Sequence, residues 1–184
     1  MSITHHLDDA TLMSFAAGAL PAALSAVAAA HVAMCPRCRS EFVALECVGA
    51  VLLTALPGAR MQRAEPEMPA AAGQPSAQQR REAGVAPMHS PTPLAQLLPG
   101  GLDAVRWRRL GLGIWHRRLP VEGSGALGLL KVAPGQVVPE HGHGGAELTL
   151  VLRGSFHDTT GRYRTGDVAD LDATVNHEPV ADPG

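Results

Sequence analysis

The chain has 184 residues, enough for one domain or two small ones. Apolar residues make up 46% of it and can supply a core, but aromatics are only 3%, and a net charge of -2 argues against a surface that tracks nucleic-acid phosphates. No apolar run approaches membrane-spanning length, and the start, Met1 to Asp9, carries acids where a secretory signal carries basic residues, so a cytoplasmic chain is expected.

Residues 4 to about 57 read as helical, in an Ala- and Leu-rich stretch that favours helix. Thr4 or Asp8 can cap a first helix that carries Leu7, Leu12, Phe15, Ala16 and Leu20 at helical spacing. Gly18 ends it, and Pro21 suits the first turn of a second helix over about Ala22 to Met34. Pro36 opens a third, with Cys35 at its cap and Phe42, Leu45, Val48, Gly49, Leu52 and Leu53 on one apolar face. Cys47 falls within that helix and is expected in the core. From 58 to 93 the composition is that of a linker, with six prolines and no aromatics. One island differs: Ser76-Ala-Gln-Gln79 resembles a capping box and predicts a short helix over 76–84 that could meet a partner. Beyond 94 the pattern changes to short strands over 105–110, 113–119, 126–132 and 147–152, with Tyr163 and the Gly166-Asp167 turn beginning another pair. Regularly spaced short strands predict a small barrel or sandwich. The chain stops seven residues after His177, where a closed barrel usually needs more strand, so a truncated or missing tail is expected.

The count of three cysteines is odd, which points to thiols used for metal or redox work rather than disulfides. Two of them lie in His31-x3-Cys35-x2-Cys38, at the junction of the second and third helices. His31 and Cys35 are one helical turn apart and Cys38 is a further turn on, so the three can supply three of the four ligands of a tetrahedral zinc. A fourth must come from elsewhere. His5 and His6 are both candidates, because antiparallel helices bring the start of the first helix back beside His31. A metal-free C-x-x-C redox pair lacks its usual preceding strand and leaves His31 without a role. Burial of Cys35 and Cys38 as small apolar groups sits poorly with the Pro36-Arg37 between them.

The text from His6 through Asp8-Asp9 to Ala16-Ala17-Gly18-Ala19-Leu20, followed by the His31, Cys35 and Cys38 spacing, resembles the zinc-binding domain of bacterial anti-sigma factors. The family places one His just before an acidic pair, and His6 holds that position while His5 does not. The resemblance thus implies a zinc held by His6, His31, Cys35 and Cys38. It further implies a small helical bundle that wraps an extracytoplasmic-function sigma factor.

A second cluster follows. In Gly135-x5-His141-x-His143-x3-Glu147-x6-Gly154, His141 and His143 are two apart on a strand and point the same way, and Glu147 can return to the same point after the Gly144-Gly145 turn. His177 would complete a three-His, one-carboxylate set suited to a divalent transition metal. This pattern resembles the first motif of cupins position for position. Tyr163-x2-Gly166-Asp167 and His177 match the second, with Asp172 and Thr174 where Pro and Gly are usual. The resemblance implies a β-barrel with a metal in its mouth, and zinc is the expected ion.

The two halves together resemble the ChrR-type anti-sigma factors, the cupin-bearing members of the zinc anti-sigma family. The expectation is therefore a multidomain α plus β chain: a helical anti-sigma domain at 1–57, a linker at 58–93 and a cupin domain at 94–184. It implies a transcription regulator that binds a sigma factor one to one and releases it under oxidative stress, including singlet oxygen, through the cupin. Direct nucleic-acid contact and a membrane are not expected. The alternative is a cupin dioxygenase or isomerase with a structural zinc appendage. The basic and aromatic run around Trp107 and Trp115 reads as a solvated strand face.

Overall fold

The computed structural model describes residues 2–57, 96–142 and 144–183. The predicted linker, the predicted helix at 76–84 and His143 lie outside these residues.

Three helices open the chain: α1 (Asp9–Ala16), α2 (Ala22–Met34) and α3 (Pro36–Ala55). Asp8, rather than Thr4, caps α1, its carboxylate accepting from the Thr11 backbone N–H at 2.6 Å. Gly18, at φ +66°, makes the turn toward Pro21, the N-cap of α2. Cys35 ends α2 and caps α3, with Pro36 in the first turn of α3 where its missing N–H costs nothing. Arg39 reaches back from α3 and donates to the Val32 carbonyl at 3.2 Å and to that of Ala33, tying off the open end of α2.

The helices meet around Leu7, Leu12, Ala28, Val32, Cys35 and Cys38, with Phe15, Leu20, Phe42 and Leu45 packed alongside. Leu12 is 2% exposed, a burial worth roughly 1.5–3 kcal/mol. In the far half of α3 the expected burial of Cys47 is not met. Val48, Leu52 and Leu53 are exposed, as are Val51 and Leu56, and Cys47 is exposed too. The reason is length. With 20 residues, α3 spans about 30 Å, against about 20 Å for the 13 residues of α2, so its last turns outrun their neighbours.

Ten strands follow among the described residues, all paired antiparallel. β1 (Arg108–Gly111), β2 (Ile114–Leu119) and β3 (Leu127–Val132) form one meander. The next six, β4 (His141–Gly142), β5 (Glu147–Leu150), β6 (Ser155–His157), β7 (Arg162–Arg164), β8 (Val168–Leu171) and β9 (Asn176–His177), are nested: β4 pairs with β9, β5 with β8 and β6 with β7. They form one long folded ribbon, and β10 (Val180–Ala181) adds to its tip beside β6. The register slips once. Between the Leu150–Val168 pair and the Ser155–Arg164 pair, one strand advances five residues and the other four. Gly154 (φ +80°) and Gly166 (φ +95°) take up that irregularity, and Gly166 N–H donates to the Val151 carbonyl at 2.8 Å. This is a cupin-like β-rich unit, though among the described residues its sheets do not close into a single barrel.

Helices and strands share apolar contacts. Leu148 of β5 and Val168 of β8 belong to the same buried cluster as Cys35 and Cys38, and Ala23 of α2 packs with Leu119 and Leu127. A third cluster, Val151, Tyr163, Ala169 and Leu171, lies within the ribbon.

Candidate metal centres

The α2–α3 junction places Cys35 and Cys38 one turn apart, with His31 a turn before them and His6 delivered by the extended segment leading into α1. Ligand atoms of these four residues all lie within 4.8 Å of one another. Cys35 Sγ is 3.3 Å from His6 Nδ1, and Cys38 Sγ is 3.6 Å from His6 Nδ1 and 3.3 Å from His31 Nε2. Tetrahedral zinc, with Zn–S near 2.3 Å and Zn–N near 2.0–2.1 Å, sets nitrogen and sulfur roughly 3.5 Å apart. The donor set and its spacing fit such an ion. His5 is placed elsewhere: its ring stacks toward Tyr163 at 4.4 Å and faces Asp167 at 3.5 Å.

Electrostatics agree with a closed, metal-binding cluster. His31 is fully buried, and burial lowers its pKa below 6.5, opposed by the Gly166 carbonyl, so the ring stays neutral. Its Nδ1–H donates to that carbonyl at 3.0 Å, which leaves Nε2 with its lone pair toward Cys38. Burial also pushes the Cys38 thiol upward, the adjoining Cys35 adding to the effect. A thiol in such surroundings ionises readily only against a cation.

The second cluster lies in the cupin-like unit. His141 and His177 are direct partners across β4 and β9, with ring centroids 4.6 Å apart, and Glu147 opens β5. Ligand atoms of the three lie within 4.8 Å of one another. Gly142 follows His141 on β4 opposite Asn176, where a Cβ would run into the Asn176 amide oxygen. His141 Nδ1–H donates to the Pro139 carbonyl at 2.9 Å, and Glu147 accepts from the Thr149 hydroxyl at 2.9 Å. His177 Nδ1–H donates to Asp158 at 2.8 Å. In both rings Nδ1 is thus the nitrogen bound to the protein's own oxygens. Nitrogen and oxygen donors of this kind suit zinc, iron, manganese or nickel.

Asp158, which holds His177, is a residue of this cluster that sequence reasoning missed. Its other oxygen accepts from the Thr160 and Gly161 backbone N–H groups at 2.8 and 3.1 Å. Desolvation pushes its pKa up, but the Thr160 and His177 hydrogen bonds prevail and leave it below the usual carboxylate value. A buried carboxylate so fixed orients the histidine in front of it. The Asp158-Thr-Thr-Gly161 turn was the available signal, since Asp at the head of such a turn binds backbone N–H groups.

Comparison with known proteins bears on both clusters. Residues 100–183 match the model of the ChrR cupin-like domain. The whole chain is 40% identical to the anti-sigma-E factor ChrR of Cereibacter sphaeroides over 186 aligned positions, which take in 86% of that protein. The crystal structure of Rhodobacter sphaeroides SigE in complex with the anti-sigma ChrR contains a chain that superposes with a TM-score of 0.81 at 37% identity, covering all of this chain and 94% of that one. A likeness to KdgF from a Halomonas species, at 20% identity and a TM-score of 0.40, is too slight to bear on the argument.

Proposed function

The chain belongs to the ChrR family of anti-sigma factors, and from that premise we propose that it binds an extracytoplasmic-function sigma factor one to one, holds it inactive in the cytoplasm and releases it under oxidative stress, singlet oxygen included. It is a transcription regulator rather than an enzyme. No helix among the described residues is long and apolar enough to cross a membrane.

The observation that carries the binding role is the overhang of α3. Val48, Val51, Leu52, Leu53 and Leu56 are 56–70% exposed along consecutive turns. A chain does not leave so continuous an apolar face in water without something to cover it. Bacterial sigma factors of this class are the covering partner that the family relation supplies.

His6, His31, Cys35 and Cys38 would hold a structural zinc that ties the start of α1 to the α2–α3 junction. Four protein donors leave it no open position, so its contribution is to fold rather than to chemistry. His141, Glu147 and His177, with His143, would hold a second divalent ion in the cupin-like unit, zinc being our assignment. Such an ion supplies a Lewis-acidic centre that can meet a signal. The protein's part is to hold both imidazoles as Nε2 donors, through Pro139 and Asp158.

The test is co-expression with the sigma factor encoded beside it, followed by size-exclusion chromatography. A single peak with both chains in equal amounts is expected. Separate elution would remove the reading.

A further inference from the structure

The irregularity in the ribbon falls at the segment that touches the helical cluster. Arg164 to Asp167 bridges β7 and β8, and Gly166 sits there at φ +95°. A Cβ on Gly166 would lie 2.8 Å from Ile3 Cγ1, so only glycine lets the turn approach this closely. Its carbonyl is the acceptor for His31 Nδ1–H. The next residue, Asp167, is 1% exposed and faces the other way along the same seam. One of its oxygens accepts from the Thr4 and His5 backbone N–H groups at 2.6 and 3.0 Å, and the other from Arg164 N–H at 2.8 Å. His5 immediately precedes His6. Two neighbouring residues of the cupin-like unit thus reach one donor of the N-terminal cluster, His31, and the backbone just before a second, His6, across 135 and 162 residues of sequence.

We propose that Gly166 and Asp167 are positioning residues of the N-terminal metal centre, so that the cupin-like unit supplies the outer shell of the zinc site that shapes the sigma-binding helices. The Gly166 carbonyl selects the His31 tautomer and aims its ring. Asp167 pins the backbone that presents His6. The inference rests on the reading of His6, His31, Cys35 and Cys38 as a metal site. It gives the cupin-like unit a direct physical hold on the helices, because lifting the β7–β8 turn releases both histidines at once. Hydrogen-bonded partners of ligating histidines commonly change metal affinity about 10–100-fold when removed.

The two metal sites can be read separately, because only the N-terminal one contains sulfur. Cobalt bound there gives a thiolate-to-metal charge-transfer band that the histidine and glutamate site cannot give. In the full chain carrying Cys47→Ser, that band is titrated with cobalt against a competing chelator. Three changes are compared: Asp167→Ala, Thr4→Pro and Asp182→Asn. Thr4→Pro deletes the N–H and the hydroxyl that Thr4 donates to Asp167 and alters no residue of the cupin-like unit. Asp182→Asn disturbs the cupin-like unit where its carboxylate holds Ser155, His157 and Arg162, away from the helices. Asp167→Ala is expected to weaken N-terminal cobalt binding about tenfold or more, and Thr4→Pro in the same direction. Asp182→Asn should stay within about twofold of the parent. Equal affinity for Asp167→Ala and Asp182→Asn would overturn the proposal, as would an unchanged Thr4→Pro if Asp167→Ala fails to fold. Absence of the band in the parent chain would instead remove the metal reading itself, and the proposal with it.

Discussion

The two metal clusters differ in donors and in access. The N-terminal one offers two sulfurs and two nitrogens, and three of its four residues are buried. The cupin one offers nitrogen and oxygen, and of its three described residues only His177 is buried. A closed, sulfur-rich set of four suits an ion whose work is to hold a fold. An accessible nitrogen and oxygen set suits an ion that can meet something from outside. His31, His141 and His177 are each aimed through Nδ1, but His31 borrows its partner from the second unit, whereas His141 and His177 find theirs within their own. On the proposals above, the N-terminal site depends on the cupin-like unit and not the reverse.

The strongest way to break the comparison is to remove a sulfur. Cys38 is 0% exposed and central to the helical cluster, and a structural zinc contributes on the order of 10 kcal/mol to a small domain. Cys38→Ser is expected to abolish sigma co-elution and most of the helical circular-dichroism signal, while the cupin site keeps one metal ion per chain. Retention of helicity and binding would mean that the N-terminal cluster does not hold the fold.

Next in size is Asp158→Asn. The amide presents a donor to His177 Nδ1, which then favours the tautomer with its proton on Nε2. Cupin metal affinity should fall about 10–100-fold by chelator competition, with the N-terminal site unchanged. A fall in both sites, or in neither, would blur the separation drawn between them.

The smallest effect is expected at Asp182, where Ser155 foremost, then His157 and Arg162, bring the carboxyl down to about 2. A folded pKa below the unfolded value of about 3.9 means stability that is present above pH ~4 and lost as pH falls through ~2. The difference in unfolding free energy between the parent and Asp182→Asn should be flat above pH ~4 and shrink below it. A difference that persists at pH ~2 would show that the charge is not what matters.

Much of this was legible beforehand where local rules decide. Pro21 and Pro36 set helix starts, the C-x2-C step put two thiols on one turn, and the Gly144-Gly145 turn was read as returning Glu147 to His141. The text around His6, rather than its geometry, separated it from His5. What could not be read came from distant docking. Asp167 appeared only as part of a motif, because its partners Thr4 and His5 lie at the other end of the chain. Asp158 meets His177 only once the β6, β7 and β10 pairings are fixed. The apolar face of α3 was read as apolar, but Cys47 was expected in the core and is exposed, since periodicity reports a face and not what covers it.

The central claim is that the helices hold the sigma factor while the cupin metal governs its release. It is tested most directly by exposing the purified sigma complex to photogenerated singlet oxygen and following dissociation, for the parent chain and for His141→Ala. The account predicts that His141→Ala binds sigma as tightly as the parent and stays bound when the parent lets go. Release of the variant at the parent's rate would contradict it.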